Sequence, residues 1–390
     1  MADEEEDLLD DVAGDVSFGV EEINELLGEL VEAQGERRRR DADIVAARLG
    51  IHGQRPQTFA RIGARFDLAR DRVRQVHTRT VGQLVREAAT TGHRAGKVFA
   101  ERYPLDARDG QLTRALLAET YAGDADLAAT ELSYLKLRLA GHDPEDSKRI
   151  AGYVAQRIMA WQKKTRHQLA KLRAARGDSA LDALLSRVVW PAAGTVAPLP
   201  SASVTDIAGD VRFYLDKVGR EVAFESAMEA RLFQALTADE GIATFRERPC
   251  AVEYESDGVR QVVHPCVVAE LTDGRAVLID VQPLGQIGFH VRRAAAAAAR
   301  AHAHANGWGL LIWTGSHLGV EELSERAVDS ETEQRLRDRL ASGPVFWSAT
   351  RTLATELEFD LLDLLAMVLR NDWRWERAPF VLRATKPPAE

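Results

Sequence analysis

The sequence predicts a multidomain chain: an all-α N-terminal half, an α/β region after it, and a small winged-helix-like domain at the C-terminal end. Three observations predict this. Apolar residues repeat at helical spacing from about residue 17 to residue 188, interrupted by turn signals. From residue 250 to residue 281 the pattern changes to short runs separated by Ser256-Asp257-Gly258 and Thr272-Asp273-Gly274, both hairpin turns. Between the two regimes lies a proline- and glycine-rich stretch, Trp190 to Ser201, read as an interdomain linker.

Taken in order, residues 1–36 form an acidic tail and a first helix, with Val20, Ile23, Leu26, Leu27, Leu30 and Val31 at helical spacing. Residues 37–90 hold two short helices with apolar positions Ile62, Phe66, Leu68, Val73, Val76, Val81 and Leu84 on one shared face, the pattern of a helix-turn-helix. Residues 91–190 read as further helices, with turns at Tyr103-Pro104, Gly123-Asp124 and Gly141 to Pro144. A linker is expected over 191–204. Residues 205–318 follow, with a helix over 222–238, strands at Cys250–Tyr254, Val259–Val263, Val267–Leu271 and Ala276–Val281, a helix from Phe289 to Asn306, and a buried strand at Gly309–Thr314. Residues 330–385 then give helix, short strand, two helices and a wing carrying Trp373 and Trp375, for which core packing is the default.

The formal net charge of −9 conceals a division. Residues 1–36 carry fourteen Asp and Glu and no Lys or Arg, which leaves 46 acids and 51 bases in the remainder. Residues 37–90 contain thirteen arginines against five acids, beginning with Arg37, Arg38, Arg39 and Arg40. Such a patch suits phosphates. The acidic tail is either solvating or folds back to compete for the arginines. The helix through Trp161 adds Lys163, Lys164 and Arg166 as a second basic surface. Two cysteines without metal-ligand spacing argue against structural zinc. The start is not a secretory signal, and the alanine run Ala294–Ala299 is too short to span a bilayer, so a cytoplasmic, nucleoid-associated location without membrane contact is expected.

The run Arg70-Asp71-Arg72-Val73-Arg74-Gln75-Val76 resembles region four of the primary bacterial sigma factors, and Asp43 to Ile51 resembles the first half of that region. The resemblance implies a bacterial DNA-binding helix-turn-helix. Arg70, Asp71, Arg74 and Gln75 would face bases, with Arg72, Arg79 and Arg37 to Arg40 on or near phosphates. Arginine and glutamine suit guanine and adenine edges in the major groove. The sequence departs from the family at Ala69, where the family has a helix-capping threonine.

Residues 221–316 resemble the TnsA-type endonucleases of the restriction-endonuclease-like fold in the order and spacing of a glutamate-bearing helix, a strand pair, an acid-x-lysine position, a helix and a strand. The resemblance implies a metal site, and the residues depart from it. Glu225 and Glu229 are kept, Cys266 stands where the metal-binding aspartate belongs, and Asp280-Val281-Gln282 has glutamine where the lysine belongs. A thiol is a poor ligand for a hard cation, and glutamine supplies no charge. The expectation is therefore no catalytic residue, no metal and no cofactor. Such a domain would serve for extra grip on duplex DNA or for self-association as a homodimer. Two alternatives stand beside it. One is a magnesium-dependent endonuclease with His264 or Glu270 substituting. The other is an adaptor holding RNA polymerase, with a protein partner on the C-terminal domain. His302 and His304, two apart on a helix, are not expected to share a metal.

Overall fold

Ser17 starts the first helix by accepting a hydrogen bond from Val20 N at 3.4 Å, and Gly50, at φ 70°, ends it by donating to Ala46 O at 2.9 Å. This helix, α1 (Phe18–Leu49), is kinked at Arg38, whose φ and ψ are −147° and 73°. The computed structural model describes residues 16–90, 94–169, 185–192, 194–204, 212–316, 318–377 and 379–385. An all-helical N-terminal half precedes a mixed α/β region. The chain forms two compact units, Met1–Ile158 with Ser324–Glu390, and Met159–Leu323.

The first unit continues with α2 (Phe59–Phe66), α3 (Arg70–Thr90), α4 (Arg94–Arg102), α5 (Asp109–Ala122) and α6 (Ala129–Ala140), and takes in the start of α7 (Pro144–Leu169). The helices and turns expected between residues 95 and 169 are present. A buried ionic cluster ties α4 to α6. The Glu119 carboxylate accepts from Tyr103 Oη at 2.6 Å, Arg102 Nε at 2.9 Å and Lys136 Nζ at 2.5 Å. Burial and the neighbouring carboxylate hold the Tyr103 phenol well above its usual range.

The C-terminal segment of this unit contains α11 (Ser330–Ala341), β9 (Val345–Phe346), α12 (Trp347–Glu356), α13 (Leu361–Arg370), β10 (Arg374–Glu376) and β11 (Val381–Arg383), with antiparallel strand order β10-β11-β9. Trp373 and Trp375 are core residues. Asp360 and Asp363 form a capping box at the start of α13 and both pair with Arg326. The first half of α1 completes this core. Phe18 packs edge-on against Trp347 and Phe359, each at 6.0 Å between centroids. Both Glu25 carboxylate oxygens accept from Phe380 N at 2.7 Å, across 355 residues, and Glu21 pairs with Arg377 at 3.0 Å. Two of the acids counted with the N-terminal run are thus buried and engaged.

The second unit opens with a hairpin, β1 (Arg212–Leu215) and β2 (Arg220–Ala223), then α8 (Ala227–Ala238). A four-stranded sheet follows in the order β3-β6-β7-β8, from β3 (Ile242–Glu247), β6 (Val267–Leu271), β7 (Ala276–Val281) and β8 (Gly309–Trp313). All pairs are antiparallel except β7 with β8, which α9 (His290–Ala305) connects. A second hairpin, β4 (Val252–Ser256) and β5 (Val259–Val263), stands outside this sheet, and a short helix, α10 (Val320–Ser324), closes the region. Alternate residues of β6 and β7 fill two cores. Val267, Ala269, Ile279 and Val281 pack with Phe224, Phe233 and Phe245, whereas Val268 and Leu278 pack with Ala299, Ala303, Trp308 and Leu310. Alanines spaced four apart on α9, at 295, 299 and 303, give that helix a smooth buried face.

The helix expected over 222–238 begins only at Ala227, where Ser226 caps it, and residues before it pair as β2. The strands β1 and β3 add to those read from the sequence. Short apolar runs do not distinguish strand from helix by period alone. The proline-rich stretch is built into this unit: Val189 exchanges backbone hydrogen bonds with Leu310 at 2.9 and 3.0 Å, Trp308 Nε1 donates to Ala197 O at 2.9 Å, and Arg246 Nε donates to Pro200 O at 3.2 Å. Gly309 is demanded by this strap, since a Cβ there would lie 2.3 Å from Val188 Cγ1.

Candidate functional site

The basic segment is built on a tight turn between α2 and α3. Thr58 Oγ1 caps α2 by accepting from Arg61 N at 3.1 Å. Asp67 ends α2 in the left-handed region at φ 53°, and Leu68 N donates back to Gly63 O at 2.9 Å. A side chain at position 63 would put its Cβ 2.5 Å from Leu68 O, so the turn closes only over glycine. Ile44, Ile62, Val73 and Val76 are buried beneath the turn, with Phe59, Phe66 and Leu68 around them. Ile62, Phe66, Leu68, Val73 and Val76 of the expected apolar face thus share one core with Ile44 of α1, while Val81 and Leu84 are buried further along α3. Arg48 braces it from below, stacking over the Phe59 ring at 4.5 Å and pairing with Glu131 at 2.6 Å.

His77 faces the same interior, edge-on to Phe59 at 5.6 Å. Burial lowers its pKa to about 4, so its imidazole is neutral at physiological pH.

With Val73, Val76, His77 and Thr80 turned inward, α3 exposes Arg70, Asp71, Arg72, Arg74, Gln75 and Arg79. These cations differ in their engagements. Arg72 Nη1 donates to Gln75 Oε1 at 3.3 Å. Arg79 is held by Asp41 of α1 at 2.7 Å. Arg70 and Arg74, one turn apart, have no hydrogen-bond or ion-pair partner among the described residues. Ala69 carries the N-cap position of α3: its carbonyl accepts from Arg72 N and Val73 N at 2.9 and 3.1 Å, and its methyl caps nothing.

The arginine run lies at the kink of α1 and is already paired. Arg37 meets Glu87, Arg39 meets Asp43 at 3.1 Å and Glu32 at 3.4 Å, and Arg38 and Arg40 lie 3.9 and 3.8 Å from Asp41. These pairs are exposed and individually weak. Buried Asp41 therefore gathers three arginines, and sequence reading did not single it out. Lys163 and Lys164 are exposed on α7, while the Arg166 side chain lies outside the described residues, as do residues 1–15.

In the second unit the acids fall into two groups. Glu229 is buried on α8, and Glu225 lies just before that helix. Arg248 Nη2 donates to Glu225 Oε2 at 2.8 Å and to Glu229 Oε1 at 2.5 Å, while Glu229 Oε2 accepts from Glu225 N at 2.8 Å. Asp280 belongs to the other group. Its Oδ2 accepts from Gln282 Nε2 at 2.9 Å, with both side chains buried. Cys266 is 1% exposed. The Cys250 thiol, in the other apolar core, is pushed up to about 11 by burial, reinforced by the Asp280 charge. Among the described residues no group of three or more His, Cys, Asp or Glu is placed to hold a metal ion.

The histidines have separate employments: His290 Nε2 lies 2.9 Å from Asp257 Oδ2, His304 Nε2 lies 3.1 Å from Val189 O, and the His302 ring packs against Trp308. The residue that sequence reading missed is Arg248. It follows β3, a strand not read from the sequence, and only the fold brings it to α8.

Compared with known proteins, the chain matches no protein-family model and no curated protein. No helix among the described residues is long and apolar enough to cross a membrane.

Proposed function

We propose that this chain binds duplex DNA through α3, acting as the recognition helix of a sigma region four-like helix-turn-helix, and that its second unit is a nuclease-like scaffold that does not cut. The observation that carries the reading is the pair Arg70 and Arg74. They stand exposed, one turn apart and without an intramolecular partner among the described residues, on a helix whose opposite face is fully buried. Charged side chains left in water on a rigid helix lose no existing contact when they meet a base edge or a phosphate. Gln75 adds an amide suited to adenine. Arg72 and Arg79 supply positive potential near the phosphates without leaving their partners. The C-terminal segment has the helix, strand and wing order of a winged helix. The acids of its third helix are engaged in capping and in the Arg326 pair, which favours protein packing over base reading there.

For the second unit, the supporting observations are the replaced positions Cys266 and Gln282 and the engagement of every retained acid. Extra grip on DNA or self-association is the role left to it.

The test is a binding titration on random and genomic duplex fragments across a salt series, with cleavage scored in magnesium and in manganese. Arg74→Ala with Gln75→Ala lowers specific affinity by about 1–3 kcal/mol per lost base contact. Arg70→Ala lowers specific affinity by about 1–3 kcal/mol and relaxes base preference, with affinity for random fragments changed less. Unchanged binding in all three substitutions overturns the role of α3, and nicking that disappears in Asp280→Ala overturns the non-cutting reading.

A further inference from the structure

We infer that Arg248 is a tethered cation standing where a nuclease-like scaffold would hold a divalent ion, so that this site excludes metal by both charge and volume. The inference rests on the reading of the second unit as a non-cutting scaffold, and deepens it.

Two carboxylates bind a hard cation by turning oxygens toward one point between them. Here that point is filled from within the chain. Arg248 Nη2 lies 2.8 Å from Glu225 Oε2 and 2.5 Å from Glu229 Oε1, a bridging position between the two acids. The remaining Glu229 oxygen is engaged by Glu225 N at 2.8 Å. Burial of the Arg248 and Glu229 side chains is nearly complete, at 4% and 1% exposed. A divalent ion entering between them would face a guanidinium that has no water to retreat into.

The backbone holds this arginine in place. Arg248 N donates to Cys266 O and Arg248 O accepts from Val204 N, both at 2.9 Å. Its φ is +44°, a left-handed conformation that costs an arginine energy and persists only under such constraint. The backbone from which the side chain extends is therefore held by the end of β3, the residue before β6 and Val204 together. Position 266, where the metal-binding aspartate is replaced, contributes a backbone carbonyl to the clamp. The residue at the replaced position thus helps to hold the backbone that carries the internal cation.

Manganese titration of the full chain by electron paramagnetic resonance, with thermal melting in parallel, tests this. The unsubstituted protein shows no saturable Mn²⁺ site, and its melting temperature is unmoved by millimolar Mg²⁺ or Mn²⁺. Arg248→Gly, which tolerates the left-handed backbone, melts lower and acquires a saturable Mn²⁺ site. Added Mn²⁺ or guanidinium raises its melting temperature again, and Glu229→Gln in the same chain abolishes that rescue. Arg248→Lys keeps a charge at the site and still excludes Mn²⁺.

A saturable site in the unsubstituted chain that Glu229→Gln removes overturns the inference. So does a folded Arg248→Gly chain without Mn²⁺ binding, and so does one that neither Mn²⁺ nor guanidinium restores. Duplex affinity measured on the same samples separates this from the α3 reading: it stays constant across the Arg248 variants and falls only with Arg70→Ala or Arg74→Ala.

Discussion

Arg74 and Arg248 carry the same charge in opposite circumstances. Arg74 lies on the outer face of α3 with no acid paired to it among the described residues, and Arg248 is buried between two carboxylates. A guanidinium in water keeps its full attraction for an incoming phosphate or base edge. A guanidinium enclosed by two acids has already satisfied its charge and serves to hold the fold. The comparison shows that counting arginines along a chain does not locate a binding surface; what matters is which of them the fold leaves unanswered. The run Arg37 to Arg40 makes the point within the basic segment itself. It is the densest positive patch of the sequence, yet each member lies within 4 Å of an acid, whereas Arg70 and Arg74 of α3 have no partner among the described residues.

The sharpest break between the two regions comes from Glu229→Gln. Removing one partner of a buried pair leaves Arg248 under-compensated and costs about 3–5 kcal/mol, read as a lower denaturation midpoint. Affinity for duplex DNA in the folded protein is expected to stay the same. A fall in both together would erase the distinction drawn between the two arginine environments.

The pH dependence of the basic segment comes next. His77 in the folded state binds a proton only near pH 4, against 6.5 when unfolded. As pH falls from 6.5 toward 4 the unfolded chain takes up a proton that the folded chain refuses. Stability is therefore fully present above pH 6.5 and declines through that window, by about 1.4 kcal/mol per pH unit at most. Urea titrations at stepped pH measure it, and His77→Phe is expected to flatten the slope.

Gly63→Ala has a smaller effect, about 1–3 kcal/mol, because a backbone carbonyl 2.5 Å from the new Cβ must move. Its loss of duplex affinity should exceed what the stability change explains, since the same turn sets the angle of α3. Equal affinity in the folded fraction would show that the turn does not aim the helix. The smallest change is Ala69→Thr, which supplies the missing cap of α3 and raises stability by about 1 kcal/mol, measured by thermal melting, with base contacts untouched.

Much of this architecture was legible in the sequence because its signals are local. The apolar period of α1 survives as buried Val20, Ile23, Leu26, Leu27, Leu30 and Val31. Asp-Gly turns placed the hairpin β4–β5 and the pair β6–β7, and the core under α2 and α3 contains the Ile62, Val73 and Val76 expected of it. The strands β1 and β3 escaped notice, since runs of four to six residues with mixed polarity carry no distinctive period.

The sequence by itself determined the helical character of the N-terminal half, the Asp-Gly turns of the sheet region and which faces of α1, α2 and α3 are apolar, while the start of α8 and the strands β1 and β3 came only with the structure. Only the tertiary structure decided what each charge does. It joined Glu25 to Phe380 across 355 residues, set Asp41 among three arginines, placed Arg248 between Glu225 and Glu229, and left Arg70 and Arg74 without a partner among the described residues. The physical reason is one of range. Hydrogen-bond period and turn geometry are fixed by neighbours along the chain. Charge pairing is fixed by neighbours in space, and those exist only once the chain has closed on itself.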